Sequence, residues 1–141
     1  MPNPERCSPK EIIDVLKNDI DAVYLYKNRN NNMKKIKINN CIFQCKIEKN
    51  RIFISANLDI RPCLVVPIKQ NYNDVNINEA FDKFAAEITN YKFQKDSKSK
   101  KCIKKSVCRY CPGRFYMESG NFEIVPSFYC DLADKIIKEF K

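Results

Sequence analysis

The residues best equipped for chemistry are eight cysteines, in a chain of 141 residues that has no histidine. Four of them crowd one stretch, Cys102-x5-Cys108-x2-Cys111 followed by Cys130. Cys41-x3-Cys45 and Cys63 form an earlier group, and Cys7 stands apart near the start. Thiolates are soft anionic ligands, and a metal or cluster needs several of them within a few ångströms. Short spacings therefore lower the entropy cost of gathering them. The opening Met1-Pro2-Asn3-Pro4-Glu5-Arg6 lacks the basic-then-apolar order of a secretory signal. A cytoplasmic protein is expected, and because a reducing cytosol does not maintain disulfides, the cysteines are read as metal ligands. Taken singly, each of the earlier group has a less favoured alternative, a buried thiol acting as a small hydrophobe.

Missing residue types exclude much else. Without histidine there is no His-based triad, no His-ligated zinc and no imidazole base, and two glycines, Gly113 and Gly120, leave no phosphate-cradling loop. No carboxylate pair with a lysine stands out for metal-assisted hydrolysis. Cys41-x3-Cys45-x2-Glu48 comes near CxxxCxxC, the motif of the cluster that cleaves S-adenosylmethionine, but Glu48 occupies the third cysteine's place. That cleavage is not expected here. The net charge of +9 comes from 26 Lys+Arg against 17 Asp+Glu. Its lysines are scattered, and aromatics do not alternate with basic residues along one strand, so nucleic acid is not the expected partner. A zinc-binding cysteine-rich module that binds nucleic acid is the alternative reading. No apolar run approaches the ~20 residues that cross a bilayer, and no membrane partner is expected.

These cysteines need elements to position them. Ser8-Pro9-Lys10-Glu11 is a capping-box pattern, and Ile12, Ile13, Leu16 and Ile20 follow at helical spacing, which predicts a helix from about residue 9 to 18. Residues 22–26 read as a short β-prone run and 28–32 as a loop leading to a run over 33–38. Residues 51–55 and 60–65 flank a polar turn and predict a β-hairpin whose second strand is an edge or ends near Pro62. Asn78 is read as the cap of a helix carrying Ala80, Phe81, Phe84, Ala85 and Ile88 on one face. Residues 95–101 read as an exposed Lys/Ser linker. A last helix is predicted over 127–140, with Cys130 on its first turn and Leu132, Ala133, Ile136, Ile137 and Phe140 inward.

Taken in order, Cys45, the hairpin Asn57-Leu58-Asp59-Ile60-Arg61-Pro62-Cys63, the helix with Phe81 and Phe84, the run from Lys101-Cys102 through Cys108-Arg109-Tyr110-Cys111-Pro112-Gly113, Ser119-Gly120-Asn121, and Phe128-Tyr129-Cys130-Asp131-Leu132-Ala133 resemble the SPASM domain. This is the C-terminal auxiliary iron–sulfur domain of radical S-adenosylmethionine enzymes. Leu58 replaces the family's turn glycine, Ser99 stands where a CxxC cysteine would be, and Cys108 to Cys111 is one residue shorter than usual. The resemblance implies an α+β fold, a small β-hairpin plus helices organised around one or two cysteine-ligated 4Fe–4S clusters. Residues 1–40 would be an N-terminal helix and bridging segment, and 41–141 the SPASM-like domain. It further implies that Cys41, Cys45, Cys63 and Cys111 hold one cluster, while Cys102, Cys108 and Cys130 hold a second with an iron left open unless Cys7 supplies the fourth sulfur. A single cluster on Cys102, Cys108, Cys111 and Cys130 is the rival arrangement. Arg109, Tyr110 and Arg114, beside these ligands, are candidates to tune a cluster or touch substrate. On this reading the domain is not catalytic alone. It would serve a radical S-adenosylmethionine barrel, in the same longer chain or a separate protein, by engaging a peptide or protein substrate or relaying electrons. S-adenosylmethionine itself would be bound only by that barrel.

Overall fold

The Ser8 and Glu11 side chains satisfy each other's backbone. The Ser8 hydroxyl accepts from the Glu11 N–H at 3.3 Å, and the Glu11 carboxylate accepts from the Ser8 N–H at 2.7 Å. This closes the predicted capping box and starts helix α1, Pro9–Lys17. The computed structural model describes residues 6–33, 40–45 and 51–141 of the protein. Among them it is α+β, with six α-helices and one three-stranded antiparallel sheet. The run expected over 33–38 falls almost wholly outside the described residues. No described helix is long and apolar enough to cross a membrane.

The described residues gather into two compact units, each assembled from separated stretches of chain. Residues 6–33, 102–110 and 126–141 form a helical unit; residues 40–45, 51–101 and 111–125 form a sheet unit.

In the helical unit, α1 is followed by α2, Ile20–Asn31, and both pack on a later helix, Ser127–Glu139, numbered α6 below. The β-prone run over 22–26 and the loop over 28–32 are both corrected by α2. Asp19 accepts from the Ala22 N–H at 3.1 Å and caps the helix, whose period then buries Ala22 and Tyr26 one turn apart. Burial of those two residues outweighs the strand preference of Val23 and Tyr24, even though Ile20 and Tyr24 are left 86% and 73% exposed. Tyr26 meets Phe140 with ring centroids 5.6 Å apart, and Asn30 donates to the Phe140 carbonyl at 3.0 Å, tying the ends of the two helices together. Ile13, Val107, Ala133 and Ile136 complete this core. Each large apolar side chain so buried contributes roughly 1.5–3 kcal/mol.

In the sheet unit, β1 (Phe53–Ile54) pairs with β2 (Asp59–Arg61) in the register Phe53↔Arg61, as the predicted hairpin requires. Strand β2 ends one residue before Pro62, which has no N–H to give a ladder. A strand not foreseen, β3 (Gln70–Asn71), pairs on the other side and makes β2 central. Helix α3, Ile77–Asn90, buries Ala80, Phe84 and Ile88 as its pattern predicts. Its cap is Asn76 instead of Asn78, because only a cap at 76 places an acid, Glu79, where it can return the hydrogen bond at 3.1 Å. Within the expected linker, Lys98–Lys101 forms a short helix, α4, and Ser99 is buried with its hydroxyl donating to the Glu123 carbonyl at 2.8 Å. Helix α5, Pro112–Ser119, was not predicted; Pro112 at its start and left-handed Gly120 at its end were its sequence signals.

The hairpin turn carries a strained residue. Leu58 has φ 61°, donates to the Ser55 carbonyl at 2.9 Å, and occupies the place where the resemblance expects glycine. Leu58→Gly should raise unfolding stability by roughly 0.5–1 kcal/mol, read from the urea midpoint, since a side chain in the left-handed region costs about that much beyond glycine's own entropy loss. An unchanged or lower midpoint would mean the turn is not held in that conformation.

Candidate metal centre

None of the eight cysteines is joined in a disulfide. They divide four and four between the units: Cys7, Cys102, Cys108 and Cys130 in the helical unit, and Cys41, Cys45, Cys63 and Cys111 in the sheet unit. The adjacent pair Cys108 and Cys111 is parted by this division. Between them Arg109 takes a left-handed φ of 52°, with its guanidinium 5.7 Å from the centroid of Tyr26. Tyr110 packs against the helical core, whereas Arg114 is exposed at the start of α5.

In the helical unit, Cys102 leads into a 3₁₀ turn, Ile103–Ser106. The turn closes as the N–H groups of Val107 and Cys108 donate to the Lys104 carbonyl at 3.0 and 2.9 Å. Val107, with no exposed surface, anchors that turn in the core, so Cys108 is buried beside it. Cys130 sits on the first turn of α6, one helical turn before Asp134, and an ion pair joins Asp134 to Lys104. That pair draws the Cys102 turn onto the face of α6 that carries Cys130.

The thiols are close enough to feel one another electrostatically. Burial pushes the Cys108 thiol up to about 11, with Cys102 and Cys130 adding to it. Burial also raises Cys130, as does Cys102, against the pull of Lys104. Lys105 is 7% exposed, its Nζ 5.1 Å from the Tyr110 ring centroid. Burial lowers its ammonium, while Cys102 and Cys108 act in the opposite sense. A buried cation is costly unless negative charge is near, and thiolates at these two positions, once deprotonated, would be such a charge.

In the sheet unit, Cys41 forms an isolated antiparallel bridge with Lys92 and its Sγ donates to the Ile88 carbonyl at 3.8 Å, at the end of α3. Cys45 is exposed four residues on. Cys63 follows buried Pro62, and Cys111 is the N-cap of α5, leaving its thiol uncommitted to capping. Gly113 brings these last two stretches together, since a Cβ there would stand 2.8 Å from Val65 Cγ2 and 2.9 Å from the Val65 carbonyl oxygen. No side chain fits in that gap.

The donor set suits a thiophilic centre, iron–sulfur or four-thiolate zinc, and nothing harder. The spacing is looser than ligation requires: among the described residues no three cysteine, aspartate or glutamate side chains stand close enough to hold a metal ion. A metal would have to draw the sulfurs together, as is common where binding completes a fold. Of the residues around the thiols, Lys104 and Lys105 were not singled out by sequence reasoning, and Gly113 entered it only as part of the resembling run. Only the position of the two lysines between Cys102 and Cys108 hinted at a role. Comparison with family models, curated proteins and solved structures finds no match to this chain.

Two outcomes are expected. Gly113→Ala should destabilise the protein by about 1–3 kcal/mol, because the overlap is partly with backbone that cannot turn aside. A urea midpoint equal to the wild type would show that Val65 and α5 are not in contact. The second concerns pH. Folding raises Cys108 from an ordinary 9.0 to about 11, so the folded state keeps a proton that the unfolded chain releases. This contribution to the stability of the metal-free protein is whole below about pH 9 and is lost as pH rises through about 11. Urea midpoints across that window should fall in the wild type and fall less in Cys108→Ala; parallel profiles would refute the assignment.

Proposed function

We propose that this chain is an auxiliary iron–sulfur domain of the SPASM kind. In the sheet unit Cys41, Cys45, Cys63 and Cys111 would hold a 4Fe–4S cluster, and in the helical unit Cys102, Cys108 and Cys130 would hold a second. The observation that carries this reading is the sorting of cysteines. Two compact units defined by backbone packing divide the thiols along the same line as the ligand sets that the resemblance implies, against the grain of their spacing in sequence.

Bound there, such clusters supply one-electron chemistry or an iron that a substrate donor can occupy. The chain's own residues supply the surroundings. Val107 seats Cys108 away from water, and the Lys104–Asp134 pair holds the Cys102 turn to α6. Lys105 places a buried positive charge beside thiolates, which favours the more reduced, more negative state of a centre they ligate. The partner is a radical S-adenosylmethionine barrel, and the molecule handled jointly is a peptide or protein. Cleavage of S-adenosylmethionine is the barrel's work.

Anaerobic purification with assays of iron, sulfide and zinc tests the reading. A brown protein with iron and sulfide in equal amounts is expected. Replacing Cys63 or Cys102 by alanine should each remove about half of both, one centre per unit. A colourless protein loaded with zinc would overturn the proposal in favour of a zinc-stabilised module, and a metal-free protein would overturn both.

A further inference from the structure

The sheet unit holds a cavity of about 420 Å³ that no cysteine lines. It lies between the end of α3 and the loop after α5, and Tyr91, Tyr116 and Phe122 form its aromatic wall. We propose that it binds a purine nucleoside monophosphate, with the base on that wall, the edge of the base against the Lys92 backbone, and the phosphate at the Lys92 ammonium. This goes beyond the cluster reading and does not depend on it.

The wall is one packed cluster. Phe122 stacks on Tyr116 with centroids 4.5 Å apart and planes inclined by 26°, and it meets Tyr91 edge-on at 5.0 Å. Phe43 backs both Phe122 and Tyr91, at 5.1 and 5.6 Å. Rings braced in this way keep their orientation, so a flat ligand can stack without first ordering the wall. Tyr91 and Tyr116 stay half-buried. Burial raises the Tyr91 phenol above its ordinary range, as does Glu87, so near neutral pH the ring carries no charge to repel a phosphate.

Beside this wall the backbone has an open edge. Residues 40–42 and 91–93 meet in a single antiparallel bridge, in which the Ile42 N–H donates to the Tyr91 carbonyl and the Phe93 N–H to the Asn40 carbonyl, both at 2.9 Å. In that pattern the N–H and C=O of Lys92 itself point away from Cys41, and neither has a partner among the described residues. The next N–H on that edge belongs to Gln94, and the Glu123 carboxylate accepts it at 3.4 Å. The open edge is therefore one residue wide. An added strand needs a longer run of such groups, whereas a base sets one donor beside one acceptor on its rim. Asn121 Oδ1 accepts the Glu123 N–H at 2.8 Å, which leaves the amide nitrogen of Asn121 as a donor for a ring nitrogen. Lys92 is exposed at the rim and in no ion pair among the described residues. One ammonium with Glu123 nearby suits a single phosphate better than a chain of them.

Calorimetric titration of the full chain with AMP tests the inference. Saturable binding of one AMP per chain is expected, with Kd below about 1 mM. The monophosphate of purine riboside lacks adenine's exocyclic amino donor and should bind about tenfold more weakly, and adenosine should do likewise for want of the phosphate. Lys92→Gln should abolish the advantage of AMP over adenosine and leave adenosine binding as it was. Tyr116→Ala should weaken AMP by at least about tenfold, and Tyr116→Phe should change it little. Should Tyr116→Ala fail to fold, Lys92→Gln at its exposed position and the ligand series on the wild type still decide. Absence of saturable AMP binding overturns the inference, as does inorganic phosphate that binds as tightly as AMP. AMP binding that Lys92→Gln and Tyr116→Ala both leave unaltered overturns it as well. A deoxyadenosine oligomer that binds more tightly than AMP, with a salt dependence of several phosphates, would assign the cavity to a single strand and overturn the mononucleotide. None of these results touches the cluster reading, which stands or falls on iron and sulfide.

Discussion

Gly113 lies flush against Val65, and Val107 fills the centre of a helical core; the cysteine-rich segment is ordered by these two burials, each in a different unit. A thiol by itself has little power to choose its neighbours in a metal-free chain. The choice is made by the apolar or small residue beside it, because burying Val107 fixes Cys108 and seating Gly113 fixes the start of α5 and hence Cys111. Left-handed Arg109 and half-buried Tyr110 form the short connection between the two. Spacing that reads as one CxxC loop is thereby divided between two separate sets.

The charges follow the same arrangement. Lys104 and Lys105 are consecutive but meet different fates: one reaches Asp134 on α6, the other turns into the protein over Tyr110. The exposed pair adds at most about 1 kcal/mol to stability. The buried ammonium costs free energy that negative charge nearby would offset, so its position says more about the surroundings of Cys102 and Cys108 than any count of surface lysines. The +9 charge of the whole chain carries no such information.

Local signals were legible in the sequence and long-range ones were not. The Ser8–Glu11 box, the stop at Pro62, the buried stripe Ala80–Phe84–Ile88 and the terminal helix with Cys130 on its first turn each depend on residues within a turn or two. Residues 22–26 misled because a helix dictated by α6 overrides strand preference. Strand β3 is two polar residues with no periodicity to detect, and the burial of Ser99 depends on a carbonyl 24 positions away. For the candidate site, the wealth of cysteine and the lack of histidine were readable from composition. The grouping of the sulfurs was not readable from their spacing, and only the resemblance implied it, because it depends on which core Val107 and Gly113 join.

Both units are sewn from stretches that lie far apart along the chain, and this bears on how the protein is made. Helices α1 and α2 leave the ribosome long before α6, the helix that covers Ile13, Ala22 and Tyr26. Until then they present uncovered apolar stripes, a hazard typical of folds dominated by distant contacts. Synthesis must run nearly to Phe140 before these two helices, packed until then on each other, can close on α6, so a nascent chain stalled upstream of Ser127 would leave that core open.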